Sequence, residues 1–201
     1  MPVSSLKGFT LVELVVSIGI FAVMTALVVA RYGSFNQGTI ITNVAFDMAL
    51  SIRTAQTYGL SVKSTSASVS AFTSAYGIHF DMNNPTQFIF FADTITPNNK
   101  YDSGEAITTY TLNQSAKITA ICLGSDPTCV GGTLVTAVGP AKTLDVTYKR
   151  PNPNAIFCTN TDACPTTPNT QPIAFITITS SDGTNNQVVY IRQNGQISVG
   201  N

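Results

Sequence analysis

The sequence predicts an α+β protein, a long N-terminal helix followed by an antiparallel β-sheet domain. Three observations carry that reading. Residues 9–30 form an unbroken apolar run with one charge, Glu13. Residues 39–60 then place apolar side chains at helical spacing. After residue 61 the pattern changes to short alternating runs divided by turn residues, the mark of strands. Helix first and strands afterwards is an α+β order.

The apolar run is the first element. Its 22 residues extend about 33 Å as a helix at roughly 1.5 Å per residue, which matches a hydrocarbon core of about 30 Å. It is longer than the roughly 7–15 apolar residues of a secretory signal, and the only basic residue before it is Lys7. A simple signal anchor is the other plain reading, and Glu13 argues against it. An acid at the centre of a bilayer costs about 2.5–3.5 kcal/mol on insertion scales, and an anchor gains nothing from it.

The stretch K-G-F-T-L-V-E and the apolar residues after it resemble the N-terminal signal of type IV pilins and of the pseudopilins of type II secretion. The resemblance implies several things. Residues 1–8 are a leader that a membrane prepilin peptidase removes by cutting between Gly8 and Phe9. The new amino group on Phe9 is N-methylated, and Glu13 is the assembly residue. The helix is a membrane anchor while the subunit waits and filament core afterwards. The physical logic is charge pairing. A positive N-terminus carried into an apolar helix bundle is costly unless it meets an acid, and the acid of a neighbouring subunit supplies one. Glu13, in the first turn, also lies favourably at the positive end of its own helix dipole.

The second helical half, residues 31–60, follows. Ile41, Val44, Ala45, Met48, Ile52 and Ala55 make one apolar face, while Asp47, Ser51 and Arg53 lie off it. This face is expected to be an ordinary core face against the domain that follows. Gly33 and Gly38 are expected to kink or loosen the passage between the halves. Many major pilins have a proline near the end of the apolar half. Ala30 stands there in this chain, which leans toward a minor pilin or pseudopilin.

Residues 61–201 form the expected β domain. Residues 64–70 are a low-complexity Ser/Thr/Ala stretch, read as a loop or an edge strand. Strand-type runs follow at 76–80, 87–92, 107–112, 116–123, 143–148, 173–180, 187–192 and 196–199. Asn83-Asn84-Pro85 and Asp182-Gly183 mark turns, and Asn194-Gly195 predicts a closing hairpin with a two-residue turn. Residues 124–170 read as elaborated loops around a short strand or two.

A second, more specific resemblance rests on R-T-A-Q-T-Y in the helix, then Y-G-I-H-F, F-I-F-F-A-D and the closing I-R-Q-N-G-Q-I-S-V. These resemble the H-type minor pseudopilins (GspH/FimT-like), which implies an N-terminal helix against two antiparallel sheets.

Composition bounds the function. Ten basic and ten acidic residues give zero formal charge, and loss of Lys7 with the leader leaves one excess acid. The absence of a basic excess weakens any nucleic-acid reading. The C-terminal end has only Arg192 nearby, and Lys149-Arg150 is an isolated pair, so no nucleic-acid partner is expected. The four cysteines form two close pairs, Cys122 with Cys129 and Cys158 with Cys164. Of the three possible pairings the two local ones are favoured, because turn formers fill both spans. Zinc is the alternative, but neither pair has C-x-x-C spacing and the lone His79 is distant. Disulfides would place the domain outside the cytoplasm. The expected location is therefore a single-pass inner-membrane protein, and after assembly a periplasmic or extracellular filament.

No enzyme is read. His79 is the sole histidine, in an alternating strand, and neither G-x-S-x-G nor a phosphate-binding glycine loop occurs. No cofactor is expected beyond one candidate. Asp93, Asp102 and Glu105, with Asn98 or Asn99, gather oxygen donors that calcium could use, against the plainer reading of a solvated turn. Two functions remain: a structural pilin or pseudopilin subunit, or a filament-displayed binding module, an adhesin or DNA-uptake minor pilin, using the cysteine loops. The loops are small and polar, with Phe157 their one aromatic residue, which favours the structural subunit.

Overall fold

The computed structural model describes residues 8–61, 74–112, 116–130, 132–136, 138–161, 164 and 173–200, without the side chains at 31 and 33–35. The expected leader, apart from Gly8, and the 64–70 stretch lie outside the described residues. The chain divides into two compact units, Met1–Gln37 and Gly38–Asn201.

One helix, α1 (Leu11–Leu60), spans 50 residues. Its helical assignment runs through Gly33 and Gly38 without a break. A lone glycine weakens a helix by only about 0.5–1 kcal/mol relative to alanine, which a long helical ladder absorbs. The boundary between the compact units nevertheless falls at Gly38. In the first unit, Leu11–Ala30 has a mean hydropathy of 2.5 over 20 residues, with none of it buried. A helix that is apolar all round needs lipid or other helices as its surroundings.

The second unit holds the sheets. The strands are β1 (Ala75–Asp81), β2 (Gln87–Asp93), β3 (Ala106–Thr111), β4 (Ala116–Gly124), β5 (Thr133–Val135), β6 (Thr143–Lys149), β7 (Asn152–Thr159), β8 (Ile173–Ser180), β9 (Asn186–Arg192) and β10 (Ile197–Gly200). They make two five-stranded sheets, ordered β3-β2-β1-β6-β7 and β10-β9-β8-β4-β5, and every pairing is antiparallel. Strand alternation builds the core. Tyr76, Ile78 and Phe80 of β1, Phe88 and Phe90 of β2, and Leu144, Val146 and Tyr148 of β6 face inward. Ile118 and Ile121 of β4, Ile176 and Ile178 of β8, and Val189 and Ile191 of β9 do the same from the other sheet. The period-2 pattern would put Ile118 and Ile121 on opposite faces. A register shift between Ile118 and Ala120 returns both to the core.

The helix contributes Ile41, Val44, Ala45, Met48, Ile52 and Ala55 to this same core, all buried. Near its end, Gly59 makes the closest approach. A Cβ there would run into the Tyr148 carbonyl oxygen and come within 2.8 Å of its carbonyl carbon, so only glycine fits. The Arg150 N–H donates to the Gly59 carbonyl at 3.2 Å and fixes this contact.

The closing hairpin differs from expectation. Ile191 pairs with Ile197, so three residues lie between Arg192 and Gln196. Gly195 N–H donates to Arg192 O at 2.9 Å, and Arg192 N–H donates to Gln196 O at 2.8 Å. With Gly195 at φ 84°, this is a turn followed by a glycine bulge rather than a two-residue turn.

Candidate functional site

Two places gather the residues that the sequence singles out: the start of α1, and the outer face of the β3-β2-β1-β6-β7 sheet.

At the start of the helix, Thr10 is the cap. Its Oγ1 accepts the Glu13 N–H at 3.2 Å, and its carbonyl accepts the Leu14 N–H at 3.2 Å. Thr10 and Glu13 thus have capping-box spacing, a signal present in T-L-V-E and not used in the sequence reading. The other hydroxyls of the apolar stretch are quieted locally. Ser17 donates to the Glu13 carbonyl at 2.7 Å and Thr25 to the Phe21 carbonyl at 2.8 Å. Among the described residues, the Glu13 carboxylate has no partner within the chain. It is the one ionisable group in the helix from Leu11 to Ala30. Phe9, two residues before the helix, is 75% exposed, and Gly8 has open space around it. The position where the resemblance expects cleavage is therefore exposed chain just ahead of the cap.

On the outer sheet face, residues 94–105 fold back over the strands. Three carboxylates hold them. Asp93 accepts the N–H groups of Asn98 at 3.2 Å and Asn99 at 2.8 Å. Glu105 Oε1 accepts those of Thr94 and Ile95, each at 2.8 Å, and its Oε2 accepts that of Asp102 at 2.9 Å. Asp145, on β6, accepts the Tyr101 N–H at 3.3 Å and the His79 Nδ1–H at 2.7 Å. All three acids are buried. Burial pushes the carboxyls of Asp93 and Asp145 above the usual carboxylate range, against the lowering pull of their hydrogen bonds. Tyr101 closes the arrangement by packing on His79 and Phe91, with ring centroids 4.8 and 5.6 Å apart.

The calcium candidates lie together in sequence and in space, but their oxygens are engaged. Asp102 Oδ2 accepts the Asn98 side-chain N–H at 3.0 Å, and the other two acids bind backbone amides. Among the described residues no group of three or more His, Cys, Asp or Glu side chains is arranged to hold a metal ion. His79 belongs to this structural cluster, and among the described residues it hydrogen-bonds to Asp145 alone. Sequence reasoning did not single out Asp145. The cysteines pair as Cys122–Cys129 and Cys158–Cys164. The second bridge lies against the same loop, where Cys164 Sγ is 3.7 Å from the Asn99 carbonyl.

The stretches behind the second resemblance meet one another. Arg53 of R-T-A-Q-T-Y donates from Nη2 to the Ile197 carbonyl at 3.0 Å. Gln56 donates from Nε2 to the carbonyls of Gly195 at 3.0 Å and Pro153 at 3.2 Å. Tyr58 packs edge-on against Tyr76 and Phe90, with centroids 5.7 and 5.5 Å apart. Helix, first hairpin and last hairpin are locked by that one helical turn and a half.

The prokaryotic N-terminal methylation motif matches residues 4–29. Together with the membrane-length helix, it supports the class of type IV pilin-like subunits that prepilin peptidase processes. Comparison with curated proteins and with solved structures returned no match.

Proposed function

We propose that the chain is a minor pilin or pseudopilin, a structural subunit of a type IV pilus or type II secretion pseudopilus, resembling the H-type members. The observation that carries this is the methylation motif laid over an apolar stretch, Leu11–Ala30, whose single ionisable side chain, Glu13, has no partner among the described residues of its own chain. A neighbouring subunit's Phe9 amine is the partner that chemistry asks for. The subunit waits in the inner membrane with its β domain outside the cytoplasm, where both disulfides are stable.

Support also comes from the surface. Phe46 and Leu50 stand one helical turn apart on the outer side of α1, 58% and 64% exposed, as a subunit with packed neighbours requires. Phe157, the one aromatic residue of the cysteine loops, is buried in the core, so it offers nothing to a receptor surface. The test is Glu13→Val expressed with the prepilin peptidase and the other subunits. Insertion and cleavage are expected to persist while incorporation into filaments is lost. Normal incorporation would overturn the assignment.

A further inference from the structure

Each sheet has two edges, and a free edge is a row of unpaired N–H and C=O groups that folded proteins normally blunt or cover. Three of the four edges are treated in this way. On β7, Ala155 N–H donates to the Gln193 carbonyl at 2.8 Å, and Pro153 removes a donor. On β10, Arg53 caps the Ile197 carbonyl at 3.0 Å. The third, β5, has only three residues.

Among the described residues, nothing covers the fourth edge, β3. Its six residues, A-I-T-T-Y-T, are all exposed and include no charge and no proline. A register shift opposite Phe90 and Phe91 disturbs its start, and from Thr108 to Thr111 it is regular. The Leu112 N–H donates to the Thr86 carbonyl at 2.8 Å. By alternation, Tyr110 and Thr108 also face β2, and Thr109 and Thr111 direct their N–H and C=O groups outward.

Beside this edge lies a groove of about 540 Å³ between β3 and α1. Val44, Met48, Phe88 and Leu112 make its floor, and Asp47 stands on its helical wall. Asp47 is exposed, and its carboxylate has no partner among the described residues. Edge and groove ask for the same occupant. The edge requires an extended backbone about 4.8 Å away, and the groove receives every second side chain of such a backbone.

We propose that β3 accepts an extended strand from another polypeptide, whose alternate apolar side chains fill the groove while a basic one meets Asp47. The added strand would continue the sheet as its sixth member.

The test uses the full chain in detergent micelles and amide hydrogen exchange. The probe is a blocked hexapeptide, V-T-V-T-K-T, that puts two valines and the lysine on one face. At millimolar peptide, exchange at Thr109 and Thr111 is expected to slow by about tenfold or more, with Val199, whose N–H points outward on the β10 edge, unchanged. A version with glutamate for lysine should bind about two- to fivefold more weakly, as for an exposed ion pair, and Asp47→Asn should abolish that preference. Absence of protection at Thr109 and Thr111 would overturn the proposal, as would equal protection by a peptide N-methylated at every second amide. Protection that rises with protein concentration and without peptide would also overturn it, in favour of a second copy as occupant.

Discussion

A single oxygen of Asp145 holds both His79 and the loop above it. Oδ1 accepts the His79 Nδ1–H at 2.7 Å and the Tyr101 N–H at 3.3 Å. The carboxyl is buried, and burial raises its affinity for a proton despite both donors. A pH dependence follows. A carboxyl whose value is raised on folding stabilises the fold fully below its ordinary value near 3.8 and loses that contribution as pH rises through the raised value. Asp93, raised by the same cause, acts in the same direction. Thermal melts should therefore give a lower Tm at neutral pH than in mild acid. Asp145→Asn keeps one oxygen for both donors and removes the charge, so it should flatten part of that slope. Asp145→Ala leaves both donors unpaired and should cost about 1–3 kcal/mol. An unchanged slope in Asp145→Asn would assign the pH dependence to other groups.

Glu105 supplies the second prediction. Its two oxygens accept three backbone N–H groups from three different residues. Glu105→Gln preserves shape but turns an NH₂ group toward one of those donors. The isosteric change should thus destabilise the domain by about 1–3 kcal/mol, the cost of an unpaired buried group. Calcium needs six to eight oxygens, and these are already engaged, so millimolar calcium should leave the Tm of the native chain unchanged. A calcium-dependent rise that Asp102→Ala abolishes would instead establish the cation site that the sequence suggests.

The disulfides can be weighed separately. Cys122–Cys129 and Cys158–Cys164 close loops with separations of 7 and 6 residues. Chain entropy assigns about 2.4–2.5 kcal/mol to each. Cys122→Ser with Cys129→Ser should lower stability by about that amount, measured by chemical denaturation against the parent chain. The Cys158 pair should cost the same and also loosen residues 98–100, because Cys164 lies against Asn99. Equal hydrogen exchange at Asn99 with and without that bridge would remove the second effect.

What the sequence made legible was decided by periodicity. The face from Ile41 to Ala55 keeps helical spacing, and all six residues named from it are buried. The alternating runs became strands because each has one core face. β7 was hidden, since Asn152-Pro153-Asn154 reads as a turn although the strand begins there. β5 is too short for any period. The outer-face cluster was legible only in part. Asp93, Asp102 and Glu105 lie within one short stretch, so their gathering could be read. Their donors are backbone amides, which no side-chain pattern announces. Asp145 alternates to the face that sequence assigns to solvent, and only the tertiary return of residues 94–105 buries it. The Thr10 cap was legible in the capping-box spacing of T-L-V-E.

The last prediction sets two magnitudes against each other at Gly59. Helix propensity alone says that Gly59→Ala should stabilise the chain by about 0.8–1.0 kcal/mol. Packing says the opposite. The added methyl would collide with the Tyr148 carbonyl and come within 2.9 Å of the Tyr148 Cβ. These atoms belong to a central strand paired on both sides, so they cannot swing aside as a surface side chain can. Overpacking of this kind costs about 1–3 kcal/mol. The net expectation is destabilisation by up to about 2 kcal/mol, with the Gly59–Arg150 hydrogen bond the first to show faster amide exchange. The same substitution at Gly19, where a Cβ meets nothing within 4 Å, has no such collision and should be tolerated in the apolar half of α1. A stabilised Gly59→Ala protein would mean that the end of α1 lies farther from β6 than the structure places it.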